Sequence, residues 1–298
     1  MSWRITLPCT RAQAEEIPEG GELFPDSGTT PVLVADEPDP DKPDEWLLHA
    51  YFDREPSEVE IAQLTQLGSG EPQVEHLEDS TDWVRKSQLG LEPIRAARFF
   101  VHTPMHYADR PADTVNFEID AGLAFGTGQH ATTAGCLNAL DELEGNGCKF
   151  TNVVDVGTGT GLLAFAALTL WPQARCIATD IDPVAVDVTR DNAAINGVKL
   201  GHGEGELLLA VADGMDSPML AARAPFDLII ANILAGPLIE LAEDFARALA
   251  PGGTIILAGL LDTQADAVVR AYEAQGMKLD ESGTGEWPVL VLKGPCQE

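Results

Sequence analysis

Glycines occupy every second position after a short apolar stretch in the middle of the chain. Residues 153–156 (VVDV) run into Gly157, Gly159 and Gly161, and an apolar, helix-forming run follows over 162–170. This order predicts a buried strand, a tight turn and the first turn of a helix. Glycine lets a ligand approach the backbone N–H groups at the helix start, because no side chain stands in the way. The alternative is that these glycines only close a turn and bind no ligand.

An acidic residue follows these glycines at a spacing typical of nucleoside sites. Asp180 ends a second apolar segment, Cys176 to Thr179, and lies 19 residues beyond Gly161 (180 − 161). At the tip of the second strand, such an acid accepts hydrogen bonds from the two ribose hydroxyls of a bound nucleoside. The two signals together predict a nucleoside site formed by Gly157, Gly159 and Asp180.

A second glycine-rich stretch, VNFEIDAGLAFGTGQHATT at 115–133, precedes this motif. It predicts a strand over Val115–Ile119 and a helix over Thr132–Leu143. The Thr133 hydroxyl at the helix start either caps the helix or reaches a cofactor beneath a folded loop. His130 is either a base or a histidine that only hydrogen-bonds within the loop.

Two more polar residues stand where predicted strands end. Asp213 follows the strand Leu207–Val211, and Asn232 follows the strand Phe226–Ala231. Because parallel strands present their carboxyl ends to one crevice, both residues are expected to join Asp180 there. Asp213 either receives an adenine amino group or serves as a turn residue. Asn232 either takes part in the ligand site or is only a turn residue at the strand end.

The elements that must position these residues form an α/β pattern. Apolar strands alternate with helices, which predicts a parallel sheet covered on both faces. The other predicted helices are Leu162–Leu170, Pro183–Ile195, Leu238–Leu249 and Thr263–Gln275. A fifth strand is expected over Thr254–Leu261, and a terminal pair over Met277–Leu279 and Trp287–Lys293.

Residues 1–82 predict a small ferredoxin-like α+β module of order β-α-β-β-α-β. Its predicted strands are Trp3–Leu7, Thr30–Ala35, Trp46–Phe52 and Gln73–Leu77, and its helices are Thr10–Ile17 and Pro56–Leu67. A linker is expected over 83–112 and the larger domain over 113–298. The linker carries Arg85, Lys86, Arg95 and Arg98. These residues either contact an acidic partner or, as is commoner, neutralise a neighbouring acidic face.

The net charge limits the choice of partner. The chain of 298 residues has 18 basic and 48 acidic side chains, a formal charge of −30. Residues 1–82 hold 20 acidic and 4 basic residues, which is more than half of the excess. Such a surface repels phosphate backbones and attracts basic proteins, so direct nucleic-acid binding is not expected. Solubility alone would also account for the charge.

Cysteines, histidines and apolar runs predict neither a metal site nor a membrane segment. The five cysteines are scattered without C-x-x-C spacing, so no disulfide framework or zinc site is expected. His102 and His106 lack carboxylate or cysteine company. No apolar run approaches the roughly eighteen residues of a membrane helix. A soluble protein in the cytoplasm, a reducing compartment, is therefore the expectation.

Four motifs carry a resemblance to a known family: GLAFGTGQHATT (122–133), VVDVGTGTGLLA (153–164), DIDPVAVDVTRDNAAING (180–197) and ANILAGPL (231–238). With them the chain resembles the class I methyltransferases that use S-adenosylmethionine, and within these the bacterial ribosomal protein L11 methyltransferases. The resemblance covers nearly all of 83–298. The acidic N-terminal module is similar, more weakly, to that family's substrate-recognition domain.

The resemblance implies a Rossmann-like, seven-stranded methyltransferase domain behind the ferredoxin-like domain. It implies S-adenosylmethionine as cofactor, ribosomal protein L11 as protein substrate, and methylation of lysine side chains and the N-terminal amine. Cofactor-binding residues would be Thr133, Gly157, Gly159, Asp180 and Asn232. No catalytic base is implied, Asn232 is a candidate for orienting the amine, and a monomer is expected.

Other functions remain open at this point. A methyltransferase of the same fold acting on another protein or on nucleic acid would share the core. The acidic surface and the lack of an Asn-Pro-Pro-aromatic run at Asn232 argue against nucleic acid. A dehydrogenase would need G-x-G-x-x-G, whereas the third glycine here comes one place early. An inactive cofactor-binding protein would keep the same cofactor residues.

Overall fold

A computed structural model describes residues 2–10, 13, 31–36, 46–52, 54–77, 93–119 and 130–296. The chain divides into two compact units, Met1–Leu89 and Gly90–Glu298. The finer boundaries expected at 82 and 112 stay a prediction.

The N-terminal unit contains a four-stranded antiparallel sheet and a helix. The strands are β1 (Ser2–Cys9), β2 (Val32–Asp36), β3 (Trp46–Phe52) and β4 (Gln73–Leu77), in the order β2-β3-β1-β4, and the helix is α1 (Glu58–Thr65). Alternate strand residues such as Ile5, Leu7 and Leu48 are buried with Leu64 of α1, as a half-buried sheet requires. This sheet and its order agree with the ferredoxin-like prediction. The predicted helix Thr10–Ile17 lies outside the described residues except Thr10 and Gln13.

Helix α1 is shorter than the predicted Pro56–Leu67, because a capping box fixes its start. The Glu60 backbone N–H donates to the Ser57 hydroxyl, while the Ser57 N–H donates to the Glu60 carboxylate at 2.8 Å. Arg54 donates to both Glu60 oxygens, at 2.7 and 3.0 Å. These guanidinium bonds lower the pKa of the Glu60 carboxyl to about 2.

The second unit begins with a small three-stranded sheet. Its strands are β5 (Ile94–Ala96), β6 (Phe99–His102) and β7 (Val115–Glu118), and a 3-10 helix spans Pro104–Asp109. The sequence predicts β7, as a strand over Val115–Ile119, but neither β5 nor the 3-10 helix. Arg98 pairs with Asp141 and Glu144, and Arg95 pairs with Asp113. The neutralising role is thus confirmed for Arg95 and Arg98, whereas Arg85 and Lys86 lie outside the described residues.

A seven-stranded sheet forms the centre of this unit, in the order β10-β9-β8-β11-β12-β14-β13. Its strands are β8 (Asn152–Val156), β9 (Arg175–Asp180), β10 (Leu207–Val211), β11 (Phe226–Asn232), β12 (Leu249–Ala258), β13 (Lys278–Ser282) and β14 (Leu290–Lys293). The first five strands in this order are parallel. β14 runs antiparallel to both β12 and β13, so β13 points the same way as the first five and β14 alone is reversed. The predicted seven-stranded α/β domain is confirmed.

Helices cover both faces of this sheet. They are α2 (His130–Gly145), α3 (Leu162–Leu170), α4 (Pro183–Ile195), α5 (Pro218–Arg223), α6 (Ala235–Glu240), α7 (Ala242–Ala248) and α8 (Asp262–Glu273). Every residue of β8 is buried, and its neighbours Val153 and Val154 belong to two different hydrophobic cores. Burial on both faces explains why these strands read as continuous apolar runs.

The single helix predicted over Leu238–Leu249 is wrong. Two short helices, α6 and α7, meet at Leu241, and Leu249 already belongs to β12. The Tyr272 hydroxyl donates to the Leu238 carbonyl at 2.9 Å. In a continuous helix that carbonyl would accept the Ala242 N–H, so a buried tertiary bond replaces a helical one.

Candidate functional site

Strand register brings the predicted site residues together. Val156, the last residue of β8, pairs with Thr179 of β9 and with Ala231 of β11. The next residue along each of the three strands therefore lies at the same level, at the carboxyl edge of the sheet: Gly157, Asp180 and Asn232. The structure thus places the glycine turn between the acid and the amide, as the spacing predicts.

The turn after β8 requires glycine for its conformation. Gly157, Gly159 and Gly161 have φ values of +72°, +56° and +88°, in the region that other residues rarely adopt. A Cβ on Gly161 would lie 2.5 Å from Cζ of Phe165 and 2.7 Å from Cγ2 of Thr189. Another residue at these positions would be strained by its backbone conformation, and at Gly161 its side chain would also clash with neighbouring atoms.

The N–H groups of this turn are already engaged within the protein. Gly157 and Thr158 donate to the Thr179 carbonyl at 2.8 and 2.9 Å, and Gly161 donates to the Thr158 carbonyl. The Gly159 N–H donates to Asp180. These four N–H groups therefore have acceptors within the protein, while the expectation that N–H groups at the helix start face a ligand stays a prediction. A phosphate is bound by backbone N–H groups that have no other acceptor, so it fits this turn poorly. A ligand without phosphate does not need such N–H groups.

The Asp180 carboxylate is aimed by the backbone on both sides. Its Oδ2 accepts the Gly159 N–H at 2.9 Å and its Oδ1 accepts the Asp182 N–H at 3.1 Å. Each carboxylate oxygen has a further lone pair. The half-buried side chain is thus fixed in orientation and keeps acceptor capacity for two hydroxyls.

Two buried side chains of α4 donate hydrogen bonds to backbone carbonyls of the same turn. Thr189 donates to the Gly159 carbonyl at 2.9 Å, and Asn192 donates to the Thr160 carbonyl at 3.0 Å. Both residues have no exposed surface. Sequence reasoning missed them, although polar residues three apart in a helix share a face and would point at one neighbour.

Asp155, inside the glycine motif, is a buried acid that sequence reasoning also missed. It is 1% exposed, and one of its oxygens accepts the Thr158 hydroxyl at 2.7 Å. Burial raises the pKa of its carboxyl to about 7, the negative charge of Asp180 adds to this, and hydrogen bonds from Thr158 and the Ala164 N–H oppose it.

This pKa predicts that the stability of the unit falls as pH rises. The pKa of Asp155 in the folded protein, about 7, lies above the usual 3.8. The contribution of this carboxyl to the free energy of unfolding is therefore full below about pH 4 and is lost as pH rises through about 7. A difference of about 3 units corresponds to at most about 4 kcal/mol. Thermal unfolding of Asp155→Asn between pH 5 and 8 should show a flatter pH profile than the natural protein.

The cysteine thiols beside Asp155 do not produce the same dependence of stability on pH. Cys136 and Cys176 are buried beside it with raised thiol pKa values, so both stay protonated across the range. An Asp155→Asn variant with an unchanged pH slope would contradict the assignment.

The remaining predicted residues are placed as follows. Thr133 is half-buried in the first turn of α2, a helix that contacts α3, β11 and β12. His130 begins the same helix, and the loop before it lies outside the described residues. Asp213 is exposed, and its carbonyl accepts the Asp216 N–H at 3.0 Å, which is the geometry of a turn residue.

In the described part of the chain, the histidines form no metal site and no helix is suited to cross a membrane. His102 is buried with Nδ1 2.8 Å from the Thr103 carbonyl, and His106 pairs with Asp109. Within the ranges given above, no group of three or more histidine, cysteine or acidic residues is arranged to hold a metal. No described helix has the length and apolar content needed to cross a membrane.

Comparison with known proteins identifies the family. The sequence model described as "Ribosomal protein L11 methyltransferase (PrmA)" matches residues 4–294. A ribosomal protein L11 methyltransferase of Brucella suis is 45% identical over 249 residues, 83% of this chain and 84% of that protein. One of Caulobacter sp. (strain K31) is 41% identical over 301 residues, 98% of each chain.

A solved structure agrees with these relatives. The ribosomal protein L11 methylase of Lactobacillus delbrueckii subsp. bulgaricus superposes with a TM-score of 0.59 at 27% identity, and covers 68% of this chain and 99% of that one. The family model spans both units, and the glycine turn, the acid and the amide occupy one edge of the sheet. The chain belongs to the ribosomal protein L11 methyltransferase family.

Proposed function

We propose that this protein transfers methyl groups from S-adenosylmethionine to amino groups of ribosomal protein L11, namely lysine side chains and the N-terminal amine. The observation that carries the proposal is the alignment of Gly157, Asp180 and Asn232 along one sheet edge in a chain of this family. Asp180 and the glycine turn bind the donor, and Asn232 serves the acceptor.

The residues present fit this donor. S-adenosylmethionine is a nucleoside without phosphate, and when bound it supplies a methyl group made electrophilic by a sulfonium. The aimed Asp180 carboxylate suits two ribose hydroxyls, and the engaged N–H groups of Gly157 and Gly159 leave no phosphate cradle there. Thr133, Gly157, Gly159, Asp180 and Asn232 are the proposed cofactor-binding residues.

The protein must also deliver a neutral amine in line with the methyl–sulfur bond. A free lysine is mostly protonated at neutral pH, since its reference pKa is about 10.4. Entry into a partly desolvated site favours the neutral form. The Asn232 side chain and nearby carbonyls then orient the amine, and orientation alone contributes up to about 7–11 kcal/mol in the best cases. No dedicated strong base is proposed.

The same features bear on the competing functions. A dinucleotide enzyme binds its pyrophosphate at the glycine turn and the helix start. In this chain three N–H groups of the turn, those of Gly157, Thr158 and Gly159, already donate to Thr179 and Asp180. The acidic surface disfavours nucleic acid as substrate. We further propose that the protein acts as a monomer in the cytoplasm, where its substrate is made.

Association with the substrate should depend strongly on salt. The chain carries −30 and a ribosomal protein is basic, so exposed charges steer the encounter. We expect the association rate constant to fall roughly tenfold between about 0.05 and 0.5 M salt. Stopped-flow binding of L11 measures it. The turnover rate at saturating L11 serves as the control, because chemistry after docking needs no steering, and an association rate independent of salt would contradict the idea.

The deciding experiment is methyl transfer from labelled S-adenosylmethionine. The acceptors are purified large-subunit ribosomal proteins and, separately, ribosomal RNA. Label on L11 amines, absent with Asp180→Ala, supports the proposal, and mass spectrometry then maps the lysines and the N-terminus. Label on RNA overturns the substrate assignment but keeps the donor. Cofactor binding without label on any acceptor favours an inactive binding protein.

A further inference from the structure

The segment that follows β11 is held between two left-handed glycines. Ala231 pairs with Val156 of β8, and Asn232 pairs with Ala258 of β12. Gly157 and Gly259 are the residues that follow β8 and β12, and their φ values are +72° and +84°. Residues 232–234 therefore run between the donor-binding turn on one side and the end of β12 on the other.

Ile233 makes close contact with both glycines, through different parts of the residue. A Cβ on Gly157 would lie 2.3 Å from Cγ2 of Ile233. A Cβ on Gly259 would lie 2.4 Å from the Ile233 carbonyl oxygen, 2.8 Å from its carbonyl carbon and 2.9 Å from its nitrogen. The side chain of Ile233 thus rests on the turn, and its backbone rests on Gly259.

We propose that Ile233 and Gly259 are positioning residues that hold Asn232 at a fixed distance from the donor-binding turn. The inference rests on the proposed function, in which Asn232 orients the amine and the turn binds the donor. Ile233 is bonded directly to Asn232, so any movement of the Ile233 peptide moves the amide. Methyl transfer tolerates little such movement, because a displacement of about 1 Å can cost about a hundredfold in rate.

The two contacts differ in how they can be relieved. The contact at Gly157 involves a methyl group, which can rotate away or be removed by substitution. The contact at Gly259 involves backbone atoms, so an added Cβ must push the Ile233 peptide by on the order of 1 Å to reach an ordinary contact distance of about 3.5–4 Å. Gly259 therefore controls the position of Asn232 without touching the turn, and its substitution separates turnover from donor binding.

Gly276 provides a matched control for Gly259. Its φ of +83° is nearly the same, yet an added Cβ there would have no heavy atom within 4 Å. Gly276→Ala therefore reports the cost of the backbone conformation alone. Gly259→Ala adds the displacement of Ile233.

The test measures L11 methylation, donor affinity by calorimetry and thermal stability for the natural protein and both variants. We expect Gly259→Ala to lower kcat about a hundredfold, with the KM for L11 and the Kd for S-adenosylmethionine changed by less than about threefold. Gly276→Ala should keep kcat. Equal kcat values for the two variants would overturn the inference, and so would a loss at Gly259 that lies entirely in donor affinity.

Substitutions of Ile233 keep the test decisive if Gly259→Ala does not fold. Ile233→Ala removes the Cγ2 methyl that rests on Gly157, whereas Ile233→Val retains it. We expect kcat to fall about tenfold with alanine and to be largely restored with valine, at similar donor affinity. Equal effects of the two substitutions would overturn the positioning role. If the natural protein labels no L11 in the same assay, the proposed function fails instead, so the two failures are distinguishable.

Discussion

Asp180→Ala is expected to weaken S-adenosylmethionine binding by about a hundredfold or more. The two ribose hydroxyls would lose the carboxylate that accepts their hydrogen bonds. Hydrogen bonds to a charged acceptor contribute about 1.5–3 kcal/mol each. The substitution also leaves the Gly159 and Asp182 N–H groups without the acceptor that now fixes them, at 2.9 and 3.1 Å. Isothermal calorimetry measures the affinity, and methylation at saturating donor tests whether turnover recovers.

Asp182→Ala is the matched control, because it removes an acid from the same strand-to-helix connection. Asp182 caps α4 by accepting the Val184 N–H at 2.8 Å. Its loss should cost about 1 kcal/mol of stability and leave the donor affinity nearly unchanged. Equal weakening of donor binding by the two substitutions would show that the Asp180 effect is structural and not a ribose contact.

Fold prediction succeeded where one local signal decides the outcome. The strands Trp46–Phe52 and Leu207–Val211 and the helices Leu162–Leu170 and Pro183–Ile195 have the bounds that the sequence predicts. Proline at a helix start, glycine after β8 and uninterrupted apolar runs each fix an end of an element locally. Ser217 followed by proline is the same kind of signal for the short helix α5, a helix that the predictions above do not include.

Prediction of the fold failed where contacts between residues far apart in the sequence determine the local structure. Nothing near Leu238 in the sequence reveals that the Tyr272 hydroxyl takes its carbonyl and divides the helix. Strand β5 pairs with β6 over only Ile94–Ala96, and so short a segment carries no periodicity. Such contacts depend on the assembled fold, and local propensity does not encode them.

The site shows the same division. Spacing along the chain and the rule for parallel sheets were sufficient to gather Gly157, Asp180 and Asn232 at one edge. The supporting contacts of Thr189 and Asn192 with the turn, and of Ile233 with two glycines, link residues up to 76 positions apart (233 − 157). The sequence also gave no sign that the neighbouring strand β9 supplies acceptors for the N–H groups of Gly157, Thr158 and Gly159.

Asn232→Ala should reduce turnover far more than donor affinity. If the amide orients the attacking amine, its removal costs about a hundredfold to a thousandfold in kcat, as for other groups aligned with a reacting centre. A neutral hydrogen bond to the donor would add only about 1 kcal/mol, less than about tenfold in Kd. Single-turnover methylation of L11 at saturating donor isolates the chemical step from binding and product release.

A second asparagine supplies the control for this substitution. Asn196, at the end of α4, exchanges hydrogen bonds with the Glu118 backbone at 2.8 and 2.9 Å. Asn196→Ala should therefore lower stability while the single-turnover rate stays close to that of the natural protein. Full methylation by Asn232→Ala, with donor affinity unchanged, would make Asn232 a strand-end turn residue only. Amine orientation would then have to come from backbone carbonyls, and the role proposed for Ile233 and Gly259 in positioning Asn232 would fail with it.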